Sequence, residues 1–186
     1  MNTEQKKSLL NLARNTIKKK LLPDADSISD SISIDKSQFE GFQGAFVSLH
    51  IGKNLKGCIG YILGFQPLYK SIEDLAIAAA FNDSRFKPLS IDELDKVNIE
   101  ISILSEPSEI EDISQIVVGK HGLIISSGPY RGLLLPQVAV EQGWDNEEFF
   151  YHACLKAGMN PKLVKIEDCL IQVFEAEVVS EKELFN

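Results

Sequence analysis

The sequence predicts an α+β domain, in which helices pack against an antiparallel sheet. Apolar residues recur at helical spacing in three segments and alternate with polar residues in several others. Two pairs of the alternating segments are joined by short glycine-containing turns, which are typical of β-hairpins. Hairpin strands pair antiparallel, so the predicted order is helix, hairpin, helix, strand, hairpin, helix, strand.

The first segment is predicted to be an amphipathic helix that ends before Pro23. Its apolar residues recur at helical spacing: Leu9, Leu10, Ala13 and Ile17. The three lysines at 18–20 suit the last turn, where positive charge opposes the helix dipole, so they do not by themselves indicate nucleic-acid binding. The Ser- and Asp-rich residues 24–37 are predicted to form a polar loop.

Residues 44–62 are predicted to form a β-hairpin whose alternate residues, 45 to 51, share one face. A three-residue turn at 52–54 predicts three cross-strand pairs: Ile51 with Leu55, His50 with Lys56, and Ser48 with Cys58. In that register His50 is a diagonal neighbour of Cys58 on the same face. A slip of one residue moves the whole set to the other face.

The second helix is predicted to begin at Pro67, because a missing N–H costs nothing in the first turn. Its apolar stripe comprises Leu68, Ile72, Leu75, Ala76 and Ala79. The run from Ala76 to Ala80 is low in bulk, so we expect another part of the chain to pack closely against it. Ser90 and Glu93 suit a capping box, and residues 97–104 alternate as a half-buried strand does.

The remaining elements are two short strands around a turn at 127–130, a helix and a final strand. Asp145 and Glu148 predict the capped start of the helix, which runs to about Ala157. Residues 168–179 are predicted to form the last strand. We therefore expect a single domain over residues 1–186, with a smaller lobe within about 107–140.

Composition excludes several classes of protein. The formal net charge of −8 argues against a general nucleic-acid-binding surface, and the 44% of hydrophobic residues is enough for a core. No apolar run reaches membrane-spanning length, and the N-terminus lacks a signal-peptide pattern. A cytoplasmic protein without membrane association is the resulting expectation.

The three cysteines, Cys58, Cys154 and Cys169, are widely spaced and form no C-x-x-C pair. This spacing argues against a disulfide framework and against a structural zinc site, so no metal site is predicted. A phosphate loop, a dinucleotide fingerprint and a serine nucleophile elbow are also missing from the sequence. The commonest cofactor classes are therefore not expected, and the cofactor stays unknown.

The segment Leu55–Gly60, LKGCIG, resembles the hexapeptide LRGCIG of the AMMECR-one domain family, whose prokaryotic members are called AmmeMemoRadiSam system protein A. Further segments resemble the family's patterns in the same order: Asp83, Arg85, Phe86 and Pro88; Ile101–Ser105; Gly119, His121, Gly122 and Leu123; and Arg131–Met159. Lys56 departs from the family's arginine, which keeps the charge but loses the bidentate fork.

The resemblance implies a two-lobed fold, with a larger lobe of antiparallel sheet flanked by helices and the hexapeptide near the cleft between the lobes. It also implies a shared pathway with a Memo-like protein and a radical-SAM protein, which are the expected partners. It implies no assigned activity. Substrate, reaction and oligomeric state therefore stay open, as does the question of whether the chain is an enzyme.

Cys58 has two interpretations. It is either a small packed thiol, as most free cysteines are, or a nucleophile or metal-binding thiolate that Lys56 and a nearby histidine activate. In the second interpretation Gly57 and Gly60 leave room for a ligand and offer backbone N–H groups to an anion. An unknown small molecule is then the expected ligand.

Other candidate site residues lie on predicted loops and turns. His121 is the candidate general base, or else a histidine that suits a tight turn between two glycines. Asp83 and Arg85 predict either a structural ion pair or recognition of a carboxylate or phosphate by Arg85. Arg131 has the same two interpretations.

Three functions follow from these residues. The first is a catalytic or ligand-binding cleft at Cys58, with His121 and either Arg85 or Arg131 near it. The second is a non-catalytic module that binds a partner protein. The third, RNA binding or modification, has the least support because the chain is acidic and lacks interleaved aromatic and basic residues.

Overall fold

A computed structural model describes residues 1–23 and 34–185, so most of the predicted polar loop at 24–37 lies outside the described residues. The helices are α1 (Thr3–Leu21), α2 (Leu68–Ile77), α3 (Pro136–Gln142), α4 (Asn146–Lys156) and α5 (Glu181–Leu184). The strands are β1 (Ala45–Ile51), β2 (Asn54–Tyr61), β3 (Val97–Leu104), β4 (Ser108–Glu109), β5 (His121–Ser127), β6 (Tyr130–Leu134) and β7 (Leu170–Ser180). The predicted α+β class and the predicted element order are confirmed; α3, β4 and α5 were not predicted.

The chain forms two compact units, one of Met1–Ile103 with Glu177–Asn186 and the other of Leu104–Ala176. The prediction of a single domain with a lobe within about 107–140 stays a prediction. None of the helices in the described part of the chain has the length and apolar character needed to cross a bilayer.

The first unit has its own core between α1, α2 and the strands. β1 lies between β2 and β3 and pairs antiparallel with both. The apolar residues predicted for the first two helices are all buried. Burying a side chain the size of leucine or isoleucine stabilises a fold by about 1.5–3 kcal/mol, so this shared core holds the helices against β1.

The second unit has a separate core. β5 lies between β6 and β7, and β4 also pairs with β7. Asp145 and Glu148 form the predicted capping box at the start of α4. A Cβ atom on Gly132 of β6 would lie 2.6 Å from the Ala153 carbonyl oxygen, so this glycine lets α4 pack closely on the strand.

The β1–β2 hairpin confirms one predicted pair and corrects two. The observed pairs are Ser48 with Cys58, His50 with Leu55, and Ile51 with Asn54. The predicted pairing of His50 with Lys56 and of Ile51 with Leu55 was wrong.

The reason for this correction is a shorter turn with a compensating bulge. The turn contains only Gly52 and Lys53, and Gly52 has φ of 61°, which suits the first central residue of a type II′ turn. Lys56 is then an extra residue on β2, and this β-bulge restores the predicted register before Cys58.

Candidate functional site

Cys58 lies on β2, the outermost strand of the first unit's sheet. Its side chain is half-buried, on the same face as that of Ser48 directly opposite. The Ser48 hydroxyl donates a hydrogen bond to the Cys58 Sγ at 3.2 Å. This hydrogen bond fixes the position of the sulfur on the face that β2 shares with Ser48.

Asp83 and Arg85 bind the backbone of Cys58. The Cys58 N–H donates to Asp83 Oδ2 at 2.9 Å, and Arg85 Nη2 donates to the Cys58 carbonyl oxygen at 2.9 Å. An outermost strand leaves such groups without a neighbouring strand, and here two side chains satisfy them. We call these residues, Cys58, Asp83 and Arg85, the Cys58 clamp.

The Asp83 carboxylate is buried, and both of its oxygens accept hydrogen bonds within the Cys58 clamp. Its Oδ1 accepts from the Arg85 N–H at 3.2 Å and from Arg85 Nε at 2.9 Å, and its Oδ2 accepts from Arg85 Nη2 at 2.7 Å. The hydrogen bonds from Arg85, together with that from the Cys58 N–H, hold the pKa of Asp83 well below its ordinary value. The hydrogen bonds to the Asp83 carboxylate in turn raise the pKa of Arg85.

Arg85 keeps an exposed cation beside the thiol. Its side chain is 58% exposed although Asp83 holds it in place. The guanidinium carbon lies 5.3 Å from the centre of the Phe86 ring, and Arg85 Nη2 binds the carbonyl oxygen of Cys58. Among the described residues Nη1 has no hydrogen-bond partner, so it is available to a ligand.

A family model of AMMECR1 matches residues 10–179. The chain belongs to the AMMECR1 family. It is 44% identical to Protein MJ0810 of Methanocaldococcus jannaschii over 153 residues, which cover 78% of this chain and 76% of that protein. It is 43% identical to a protein of Aquifex aeolicus over 158 residues, 81% of each chain.

Among solved structures, the uncharacterized protein PH0010 of Pyrococcus horikoshii matches with a TM-score of 0.81 at 35% identity. The match covers 96% of this chain and 92% of that one. The family resemblance of the hexapeptide and the later segments is therefore confirmed.

The two glycines of the AMMECR1 hexapeptide are explained by close packing. A Cβ atom on Gly57 would lie 2.0 Å from the carbonyl oxygen of Ala79, in the π-helical turn that follows α2. A Cβ atom on Gly60 would lie 2.2 Å from the Phe46 ring. The predicted close contact on the run from Ala76 to Ala80 is thus confirmed at Ala79; ligand binding by either glycine stays a prediction.

Lys56 binds a carboxylate elsewhere in the AMMECR1 domain. Its Nζ donates to Glu93 Oε1 at 2.8 Å, and Glu93 in turn accepts from the Ser90 N–H. These contacts lower the pKa of Glu93, with the Lys56 ammonium as the main cause. The cation that was predicted to activate Cys58 is paired with Glu93, and the activation of Cys58 by Lys56 stays a prediction.

His121 and Arg131 belong to the second unit of the AMMECR1 domain. The Val117 N–H donates to His121 Nδ1 at 3.1 Å, so the neutral ring carries its proton on Nε2. That bond ties His121 to its own turn, and Arg131 is exposed on β6. The structure brings together Cys58, Asp83 and Arg85; catalysis by His121 and ligand binding by Arg131 stay predictions.

Sequence reasoning did not select Ser48 as a site residue, although the predicted register placed it opposite Cys58. The other two thiols differ from Cys58 in their surroundings. Burial raises the pKa of Cys154 to about 11, and burial also raises the pKa of Cys169. Within residues 1–23 and 34–185, no group of three or more His, Cys, Asp or Glu side chains is arranged to hold a metal ion.

Proposed function

We propose that the AMMECR1 domain binds a small anionic ligand beside Cys58, with Arg85 as the anion anchor and the thiol as the reacting group. The observation that carries the proposal is an exposed guanidinium that is locked next to a half-buried thiol. Carboxylates and phosphates are the anions that a planar guanidinium recognises best.

Preorganisation supports this role for Arg85. A free arginine side chain loses conformational entropy when it binds a ligand, and this loss weakens affinity. Asp83 has already fixed Arg85 through its hydrogen bonds at 2.7 and 2.9 Å, while Nη1 stays open. The clamp therefore presents a cation at little further entropic cost.

The position of the thiol supports a nucleophilic role. The Cys58 Sγ accepts a hydrogen bond from the Ser48 hydroxyl, and Arg85 binds the carbonyl oxygen of the same residue. A ligand whose anionic group contacts Arg85 brings an electrophilic carbon of the same molecule close to Sγ. The chemistry that this arrangement favours is attack by the Cys58 sulfur on that carbon: a C–S bond forms while the bond from the carbon to its leaving group breaks, and the leaving group departs with the bonding electron pair.

Alkylation with two reagents of different charge tests the proposal. Iodoacetate carries a carboxylate and iodoacetamide does not, and both react with the thiolate, so their rate ratio cancels the thiolate fraction. We expect Arg85→Gln to lower the iodoacetate-to-iodoacetamide ratio at Cys58 about threefold to tenfold, as the loss of one charge at short range predicts. Peptide mass spectrometry measures both rates for each cysteine separately.

The matched control is Lys87→Gln, which removes one positive charge from the same loop. We expect this variant to change the ratio less than twofold, and neither variant to change the ratio at Cys169. An unchanged ratio at Cys58 in Arg85→Gln would refute the anchor role. An equal fall in both variants would mean that the net charge of the loop, rather than Arg85, attracts the reagent.

A patch of exposed apolar side chains favours a second function, the binding of a partner protein. We call Phe42, Leu63 and Phe65 the apolar patch; they are 58%, 52% and 61% exposed. The backbone of Phe42 and Gln43 packs directly on Gly64. Because Gly64 lies between Leu63 and Phe65, this contact places Phe42 next to the other two residues of the apolar patch. Exposed apolar patches are typical of interaction surfaces, and the Memo-like and radical-SAM proteins are the proposed partners.

Replacing Leu63 and Phe65 by serine tests this second function. We expect the double variant to bind a purified Memo-like or radical-SAM protein at least tenfold more weakly, because buried aromatic anchors dominate interface energies. Leu163→Ser is the control, since Leu163 is 78% exposed and lies in the other unit. Surface plasmon resonance measures the affinities. Equal binding by the wild type, the double variant and Leu163→Ser would exclude the apolar patch as the binding surface.

A further inference from the structure

The outer edge of β2 is covered at Cys58 and open at Gly60. The N–H and C=O of Cys58 both point away from β1, because they bind Asp83 and Arg85. Along an antiparallel strand, every second residue directs these two groups to the same side. Gly60 lies two residues beyond Cys58, and the pairing with β1 is continuous between them. The N–H and C=O of Gly60 therefore point to the outer edge as well.

Gly60 offers a ligand one hydrogen-bond donor and one acceptor. Because β2 is the outermost strand, no neighbouring strand uses these groups. Neither group is hydrogen-bonded to another residue in the part of the chain that the structure describes, and Gly60 is only half-buried. An extended peptide recognises such a donor and acceptor when it adds a strand to the edge of a sheet.

Arg85 places a cation beside these backbone groups. Its Nη2 donates to the Cys58 carbonyl oxygen, and the Gly60 N–H is the next backbone group along the same edge. The free Nη1 of Arg85 and the Gly60 N–H are therefore two donors directed at one stretch of the edge. A carboxylate accepts through both of its oxygens, so it suits this pair of donors.

The direction of a bound chain follows from the order of these groups along the edge. In an antiparallel pair, the ligand residue opposite Gly60 accepts from the Gly60 N–H and donates its own N–H to the Gly60 carbonyl oxygen. The Gly60 N–H lies on the side of Cys58, so the carbonyl end of that ligand residue is the end nearest to Arg85. A parallel chain would direct its carboxylate away from Arg85.

We infer that the ligand beside Cys58 is a short peptide or an N-acyl amino acid with a free C-terminal carboxylate. The carboxylate accepts from Arg85 and from the Gly60 N–H, and the last amide of the ligand donates to the Gly60 carbonyl oxygen. This inference rests on the anchor role of Arg85 proposed above. It adds to that role an amide donor at a fixed position in the ligand.

The apolar patch favours an apolar side chain in the ligand. The ring centre of Phe65 lies 4.7 Å from that of Tyr61, which is the last residue of β2. A chain that runs antiparallel to β2 from Gly60 continues toward this patch. We therefore expect a preference for an aromatic or aliphatic residue two positions before the carboxylate.

Titration of the isotope-labelled full chain with acetyl-Phe-Ala-Ala, followed by amide NMR signals, tests the inference. We expect the Gly60 amide signal to shift, and its hydrogen exchange to slow about tenfold at saturation, because the N–H gains a partner. The same tripeptide with a C-terminal amide should bind about tenfold more weakly, since it lacks the charge that pairs with Arg85.

Two N-methylated tripeptides provide a matched comparison within the ligand. Methylation of the last amide removes the donor to the Gly60 carbonyl oxygen, and we expect it to weaken binding about fivefold or more. Methylation of the middle amide, whose N–H points away from β2, should weaken binding less than about twofold. Equal weakening by the two methyl groups would overturn the inference.

Arg85→Gln and Lys87→Gln provide the comparison within the protein. We expect Arg85→Gln to abolish the preference for the free carboxylate over the amide, and Lys87→Gln to retain it. An unresponsive Gly60 amide signal, or equal binding of acid and amide by the wild type, would overturn the inference. If the alkylation ratio at Cys58 still fell in Arg85→Gln, the anion anchor would stand and only the peptide-like ligand would be refuted.

Discussion

Replacing Gly57 by alanine is expected to lower the free energy of unfolding by about 3 kcal/mol. The new Cβ atom would lie 2.0 Å from the Ala79 carbonyl oxygen and 2.9 Å from its carbon. Both atoms belong to the backbone, so the π-helical turn after α2 has to move away from β2. Because that turn leads directly to Asp83, the movement also disturbs the Cys58 clamp. Urea unfolding measures the loss.

Two other glycines provide comparisons for Gly57. Gly60→Ala is expected to be destabilising as well, because its Cβ atom would lie 2.2 Å from Phe46 Cγ and 2.5 Å from the Ala45 carbonyl oxygen, a backbone atom. Gly41→Ala is expected to be neutral or stabilising by up to about 1 kcal/mol, since only a glutamine side chain lies near, at 3.8 Å. Equal stability of the Gly57 and Gly41 variants would contradict the close packing of β2 on the turn.

Replacing Asp83 by asparagine is expected to lower the free energy of unfolding by about 2–3 kcal/mol at neutral pH. The carboxylate accepts hydrogen bonds from the Cys58 N–H and from three N–H groups of Arg85. An amide of the same shape has one accepting oxygen, and its NH₂ group would face donors. The variant should also release Arg85 from its fixed position. We therefore expect the iodoacetate-to-iodoacetamide rate ratio at Cys58 to fall together with the free energy of unfolding.

The effect of Asp83 depends on pH in a defined direction. Its pKa in the folded chain is lowered from the ordinary value of 3.8, so folding favours the ionised form. The stabilisation is therefore complete above that ordinary value and is lost as pH falls through the lower folded pKa. We expect the stability difference between wild type and Asp83→Asn to be constant above about pH 5 and to narrow below about pH 4.

Asp92→Asn is the charge-matched control for these pH measurements, because Asp92 is exposed. It should cost little stability at any pH. A difference between wild type and Asp83→Asn that widens on acidification would contradict the assigned direction of the Asp83 pKa shift. A loss of stability without a change in alkylation selectivity would separate the structural part of the clamp from its proposed ligand-binding part.

Local patterns in the sequence were enough to predict most of the secondary structure. Each helix stripe and capping box depends on residues three or four positions apart, so the periodicity of α2 and the Asp145–Glu148 box are visible without tertiary information. α3 has only seven residues and therefore shows too little of the helical period to be recognised. The β-bulge at Lys56 was not predicted, because it follows from the length of the turn. Gly52 is compatible with turns of two and of three residues, so the sequence alone did not determine that length.

The candidate site was predicted only in part, because its contacts are long-range. The motif pointed to Cys58, and the hairpin placed Ser48 opposite it. However, Asp83 lies 25 residues from Cys58, and no periodicity indicates that its carboxylate binds the backbone of an outer strand. The glycines also have a packing explanation that only the position of Ala79 and of the Phe46 ring reveals.

A crystal structure of the protein after reaction with iodoacetate tests the central claim most directly. The claim is that Arg85 anchors an anion within reach of the Cys58 sulfur. We expect the carboxylate of carboxymethylated Cys58 to accept hydrogen bonds from the Arg85 guanidinium at about 3 Å, with Asp83 still in place. An unmodified Cys58, or a carboxylate that points away from Arg85, would contradict the claim.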